Sequence, residues 1–432
     1  MIFNVRKDAV IRARSLITNE FRNYSIEDVG RIIAYFVDKL NSLTHQERIG
    51  VVGHNISLLS VCFMLALQKY NREFTMIYDN DMDFEFKKTF CSHLFIVGWI
   101  GTPHRSKVQA LDREQFTLID TAEVEQAALA YPEVDNLEFN FDDDRKTYIV
   151  YKDEMSLLYP NGKIEAGSIS AAIKNYFNPD DVCILHRPFQ HLGVATLSIY
   201  PALFSSRDII ICSNKDDWNS EYTRATNVHM SKEMILDDFP LPEKLRIITT
   251  GGYNFNSECV DFVTKKSTLE KIVDCYGTRL LPPPMAIRTL EKPNTHSMWT
   301  PFNWVHEYVT PTFDHTSSKL IFSTVDGDDI FNFAKCPETG KFVSLDIFRY
   351  VDEKSFDLLG SVTDFIRMSH VRYSISDFIQ LFSQRTGISN LSVEFEIIDG
   401  LKNPIVLVDH DQLETAINAG KKYSVESKIK AR

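Results

Sequence analysis

Four short segments and one histidine hold the side chains of this sequence that have the chemistry for a site. Leu158-Tyr159-Pro160-Asn161-Gly162-Lys163 ends an apolar stretch in a turn and a lysine, whose ammonium is a compact point charge suited to phosphate. A plain Pro-Asn-Gly turn accounts for the same residues. Leu245 to Gly252 runs from a strand pattern into two glycines, which permit close approach of a backbone and equally make an ordinary turn. Asp274-Cys275-Tyr276-Gly277 sets an aromatic ring, a stacking surface or a core filler, beside another glycine. Asp346 is a carboxylate that accepts from hydroxyls or caps a loop, and His191 is an imidazole that bonds an acid or serves structure. Asp326-Gly327-Asp328-Asp329 lacks the later ligands of a calcium loop and reads as a turn, and the acidic run Asp142–Asp144 reads as a solvated loop. No residue is assigned to a metal.

These residues need a scaffold, and its elements are visible. Ser25-Ile26-Glu27-Asp28 is a capping-box start, followed by Val29, Ile32, Ile33, Phe36, Val37 and Leu40 at helical spacing. Arg48–Gly53 reads as a buried strand, 56–69 as a second helix and Phe74–Tyr78 as a strand. The rhythm returns with strands at Thr147–Tyr151, Val182–Leu185, Ile209–Cys212, Leu245–Thr249 and Lys271–Tyr276, and helices near 168–176 and after Asn256. Alternating helix and strand predicts an α/β fold. Near residue 363 the texture changes to one capped helix at Ser374–Phe382, an alternating strand from Leu391, the turn Asp399-Gly400 and the strand Ile405–Val408. The expected organisation is a large N-terminal α/β domain over 1–362, either undivided or in two subdomains of about 1–180 and 181–362. A small α+β domain over 363–432 follows.

Composition removes several function classes. With 432 residues the chain is long enough for more than one core. Lys and Arg number 47 against 59 Asp and Glu, a net charge of −12, so a phosphate-backbone binder is not expected. Seven separated cysteines without a CxxC pair argue against a disulfide framework or zinc site and for a reducing compartment. The first residues lack the order of a signal peptide, and the most apolar stretch, near Ser57–Leu67, is too short to span a bilayer. The expectation is a cytoplasmic protein.

Taken in order, the segments resemble the adenylate-forming superfamily of acyl-CoA synthetases, nonribosomal peptide adenylation domains and firefly luciferase. The opening helix with Ile49–Tyr78 is similar to the family's first elements. Pro188-Phe189-Gln190-His191-Leu192-Gly193 resembles its P-x-F-H-x-G segment, and Leu245–Gly252 its strand and glycine turn under adenine. Asp274–Gly277 resembles N-x-Y-G. Ser344-Leu345-Asp346, Val351-Asp352-Glu353 and Leu359-Gly360 through Ile366-Arg367 look like the stretch from the ribose-binding Asp into the hinge.

The resemblance implies activation of a carboxylic acid by ATP with Mg²⁺, giving an acyl-adenylate for transfer to a thiol, amine or hydroxyl. It implies that Tyr276, followed by Gly277 in the nucleotide-binding segment, stacks on adenine with Gly251 and Gly252 beneath, that Asp346 holds ribose, and that His191 meets the acid. Lys163 and Arg279 would meet phosphate, and Lys428 would enter from the C-terminal domain. Several positions depart from the pattern. The phosphate segment has Pro160 and no Ser/Thr run, Arg279 stands where the family has Thr, Leu280 where it has the Mg²⁺-holding Glu, and Ser361 where it has the hinge Arg. Leucine cannot ligate magnesium, which takes hard oxygen ligands. Two expectations follow: a divergent acid ligase, or a catalytically degenerate protein of the same fold that binds or assembles.

Overall fold

The computed structural model describes residues 1–43, 48–53, 55–70, 74–78, 88, 91–98, 116–132, 137–141, 149–151, 156–158, 162–187, 192–230, 234, 239–251, 257–266, 269–278, 281–292, 299–325, 342–343, 346–361, 365–368, 371–374, 378–379, 382–383, 386–388, 391–398, 401–423 and 429–431. His191, Gly252, Arg279, Leu280 and Lys428 lie outside them, as do the turn at Asp399-Gly400 and the acidic runs at 142–144 and 326–329.

The capping box at Ser25 forms as its sequence dictates: the Ser25 side chain accepts from the Asp28 N–H and the Asp28 carboxylate from the Ser25 N–H. Helix Ile26–Asn41 follows and buries Val29, Ile32, Ile33, Phe36 and Leu40. The second helix, Leu58–Lys69, has eleven of its twelve residues buried, so it lacks a polar face and lies inside the layers rather than on them. One hydrophobic cluster joins both helices to two sheets. The smaller of these is parallel, in the order Phe74–Tyr78, Ile49–Gly53, His93–Val97, Phe116–Leu118.

The larger sheet positions the candidate site. Its strands in chain order are β1 (Val10–Arg14), β2 (Phe21–Tyr24), β3 (Val182–Leu185), β4 (Asp208–Ile211), β5 (Asn227–His229), β6 (Ile247–Gly251), β7 (Lys271–Tyr276), β8 (Ala286–Glu291), β9 (Phe302–Trp304), β10 (Asp346–Tyr350) and β11 (Ser355–Ser361). In space they run β10-β11-β9-β8-β7-β6-β5-β3-β4-β1-β2. The six strands from β1 to β7 in this order are parallel, and the remainder pair antiparallel. From β3 the chain goes first to β4 on one side and then to β5 on the other, which makes β3 a switch point where open α/β sheets receive ligands at their carboxyl ends.

The antiparallel end is rolled. Four strand spacings separate β7 from β10, roughly 19 Å in a flat sheet, yet the Tyr276 hydroxyl lies 3.1 Å from the Asp346 carboxylate. A register shift between Ile347 and Phe348 in the β10–β11 pair supplies part of the bend. A separate cluster built on Phe378, Phe382, Leu391, Val406, Val408 and Ala416 forms the core near the C-terminus.

Strands Phe74–Tyr78, β3 and β7 have the bounds expected from sequence. Helix Gly162–Tyr176 begins six residues before the expected position. Its glycines look like breakers, but a Cβ on Gly167 would stand 2.6 Å from the ring of His306, so glycine there answers to packing.

Candidate functional site

The site residues that fall among those described converge. Gly251 ends β6 opposite Cys275 of β7, so Tyr276 is next to it at the end of the neighbouring parallel strand. Asp346 begins β10 opposite Ser361 of β11, where the family's hinge arginine would stand. Helix Gly162–Tyr176 brings Lys163 to its first turn, with the side chain half-buried, and sends Ile164 into the same hydrophobic cluster as Tyr276.

What these residues do there is visible in their partners. Tyr276 is 4% exposed and Asp346 1%. The tyrosine hydroxyl donates to Oδ2 of Asp346, and its ring meets Phe302, Phe348 and Phe356 edge-on at centroid distances of 6.1, 5.4 and 6.0 Å. A ring that stacks on a base needs an open face, and a carboxylate that holds ribose needs free acceptor positions toward the ligand. These two residues bond to each other inside an aromatic cluster.

Beyond Tyr276-Gly277, Pro283 packs back on the glycines of the site. A Cβ on Gly277 would stand 2.6 Å from the Pro283 nitrogen and 2.7 Å from its Cα, and one on Gly193 would stand 3.2 Å from Pro283 Cγ. Pro283 therefore sits between the two glycines. The Ser168 hydroxyl donates to the Pro282 carbonyl at 2.6 Å, and the Thr196 hydroxyl donates to the Pro283 carbonyl. Prolines offer no N–H to a phosphate. Gly277→Ala is expected to lower the thermal midpoint, costing about 1–3 kcal/mol, because the new methyl meets backbone rather than a movable side-chain end. Gly251→Ala, whose Cβ would lie 3.3 Å from the Cys275 carbonyl and 3.4 Å from Leu197, is expected to cost less; equal losses by differential scanning calorimetry contradict this account.

Two buried histidines, His229 and His306, and the half-buried His186, all absent from the expected site, lie around it. His306 Nδ1 accepts from the Tyr308 and Val309 N–H groups at 3.2 and 3.0 Å, which leaves the proton on Nε2 to donate to the Ile164 carbonyl at 2.8 Å. It thereby clamps the helix that begins at Gly162. His186 and His229 end or follow β3 and β5 at the switch point. His186 lies against the rings of Trp218 and Phe239 at 5.5 and 5.0 Å, and His229 is within 3.2 Å of the Thr249 hydroxyl. Burial pushes His306 and His186 down to about 4 and His229 to about 3, with the charge of Arg187 adding to the effect on the latter two. In sequence only their positions after strands marked them; the hydroxyls of Ser168 and Thr196 carried no signal, while the run Pro282-Pro283-Pro284 was a visible one.

No metal-holding group of three or more His, Cys, Asp or Glu side chains occurs among the described residues, and no described helix is long and apolar enough to cross a membrane.

The fold is that of the adenylate-forming enzymes. The solved structures similar to it include an ATP-bound MatB from Rhodopseudomonas palustris, with a TM-score of 0.63, 13% identity, and coverage of 99% of this chain and 92% of that one. A double mutant of o-succinylbenzoate CoA synthetase (MenE) from Bacillus subtilis, bound with a product analogue, matches at a TM-score of 0.61 and 9% identity over 99% of this chain and 92% of its own. The amide bond synthetase McbA from Marinactinospora thermotolerans matches at 0.59 and 10% over 99% and 94%. At such identities the likeness is one of fold. No family model and no curated protein matches the sequence.

Proposed function

We propose that this chain uses the adenylate-forming fold as a catalytically degenerate binding or assembly protein. The observation that carries the reading is the buried Tyr276–Asp346 hydrogen bond, which turns the two residues expected to hold adenosine onto each other. The described residues do not fit ATP in this arrangement. The Pro283 contacts with Gly277 and Gly193 support the same conclusion. Leu280 at the expected magnesium position and Ser361 at the expected arginine position agree with it at the level of sequence.

One observation favours the ligase reading: Lys163 keeps partial exposure in the first turn of a 15-residue helix, where an anion is favoured by the helix dipole. Under that reading the substrates are ATP with Mg²⁺, a carboxylic acid and a thiol, amine or hydroxyl acceptor, and Tyr276 must leave Asp346 before a nucleotide enters. Isothermal calorimetry of the full chain with ATP, with and without Mg²⁺, separates the two. No heat at millimolar ATP and no pyrophosphate release across fatty, aryl and amino acids is the expected result. Magnesium-dependent tight binding would reject the degenerate reading.

A further inference from the structure

A cavity lies where the hairpin of strands Val309–Asp314 and Lys319–Thr324 meets the turn between β10 and β11. Its volume is about 270 Å³. Phe313, His315 and Tyr350 line it, with the three rings in mutual contact at centroid distances of 4.9, 5.5 and 5.3 Å. Phe356 forms part of its floor, and the exposed acids Asp352 and Glu353 are on its rim. Tyr350 is 42% exposed and the neighbouring Val351 43%, large apolar surface to leave in water.

Rings and carboxylates together select a cation. A guanidinium is the best match, since it is planar, weakly hydrated, stacks on aromatic faces and offers a fork to carboxylate oxygens. The chain builds this environment elsewhere for its own arginines. Arg288 lies 4.6 and 4.8 Å from the Trp299 and Phe302 centroids while pairing with Asp274 at 2.7 Å, and Arg14 lies 5.0 Å from Phe21 while pairing with Asp217 at 2.6 Å. Among the described residues, no Lys or Arg side chain lies over Phe313, His315 or Tyr350 or forms an ion pair with Asp352 or Glu353; Asp352 Oδ1 accepts the backbone N–H of Lys354, at 2.9 Å. The cavity is also below the range of about 300–1,000 Å³ usual for small-molecule sites, so a single side chain suits it better than a metabolite.

We infer that this cavity receives an arginine side chain presented by a partner protein. The floor residue Phe356 also touches the Tyr276 ring, but the groups that would meet the cation, Phe313, His315, Tyr350, Asp352 and Glu353, are none of those expected to hold adenosine, so the inference stands whether or not ATP binds. It is tested on the full chain, carrying ¹³C-labelled tyrosine, by NMR titration with the tripeptide acetyl-Gly-Arg-Gly-amide. The Tyr350 ring signal, identified by its loss in Tyr350→Phe, is expected to shift saturably at millimolar peptide. The citrulline analogue, of equal shape without charge, is expected to bind roughly fivefold or more weakly, as is the arginine peptide to Asp352→Asn/Glu353→Gln. Circular dichroism melting of the double variant, expected at the wild-type midpoint, separates lost binding from lost folding. An unmoved Tyr350 signal, or equal response to the citrulline peptide, overturns the inference.

Discussion

Acidification from pH 6.5 to 4.5 is expected to lower the stability of this protein by several kcal/mol. His186, His229 and His306 are held neutral by burial, with folded values of about 4, 3 and 4 against 6.5 in the unfolded chain. The unfolded state therefore takes up protons in this window while the folded state does not. The stability these histidines contribute is complete above pH 6.5 and is lost as pH falls toward their folded values. Each group fully in the window contributes a slope of about 1.4 kcal/mol per pH unit, so the three together approach about 4 kcal/mol per unit, less to the extent that His186 is only half-buried. Against a typical total of about 5–15 kcal/mol this is decisive. Urea denaturation at half-unit steps of pH reads the slope directly. His306→Gln and His229→Asn should each flatten it by about one histidine's share; a midpoint constant from pH 7 to 5 would refute the role of buried imidazoles.

Asp346→Ala is expected to melt well below the wild type rather than to leave an equally stable protein with an idle site. The carboxylate is 1% exposed and accepts from the Tyr276 hydroxyl, itself buried among Phe302, Phe348 and Phe356. Removing it leaves a buried phenol donor without that acceptor and a gap in the cluster, a cost of about 2–4 kcal/mol. Tyr276→Phe, which deletes only the hydroxyl, should cost less, about 1–2 kcal/mol. In a double-mutant cycle the two losses should fall short of additivity, because both remove one interaction. A ligand-serving acid behaves oppositely: Asp346→Ala would melt with the wild type and lose only nucleotide affinity.

The sequence made the elements legible where local rules govern them. The capping box at Ser25, the glycine-ended strand Ile49–Gly53 and the apolar run of β3 are each determined by neighbours within a turn or a pleat. The order of the motifs also carried the fold class, since each motif marks a strand end in a fixed succession. The state of the site was not legible, because its defining contacts span the chain. Tyr276 meets Asp346 across 70 residues, and Ser168 meets Pro282 across 114. Neither pairing follows from residue type; the first follows from the roll of β8, β9, β11 and β10, and the second from the packing of helix Gly162–Tyr176 on the turn between β7 and β8. Reading Tyr276 as a stacking ring and as a core aromatic were equally consistent with its neighbours, and only burial distinguishes them. The start of helix Gly162–Tyr176 was obscured for a similar reason: Gly167 reports a distant imidazole, not a helix end.

The rolled end of the large sheet has a further effect, on which side of the molecule can recruit a foreign strand. At β10 the outward backbone is already engaged, with the Phe348 N–H donating to the Ser318 carbonyl. The opposite border is β2, a four-residue strand, and there Arg22 lies 4.4 Å from the Tyr24 ring with its guanidinium partly in water. Shortness and a positive charge are the usual guards of such a border. Among the described residues, strand addition to the large sheet is thus hindered at one lateral margin by an existing contact and guarded at the other by charge.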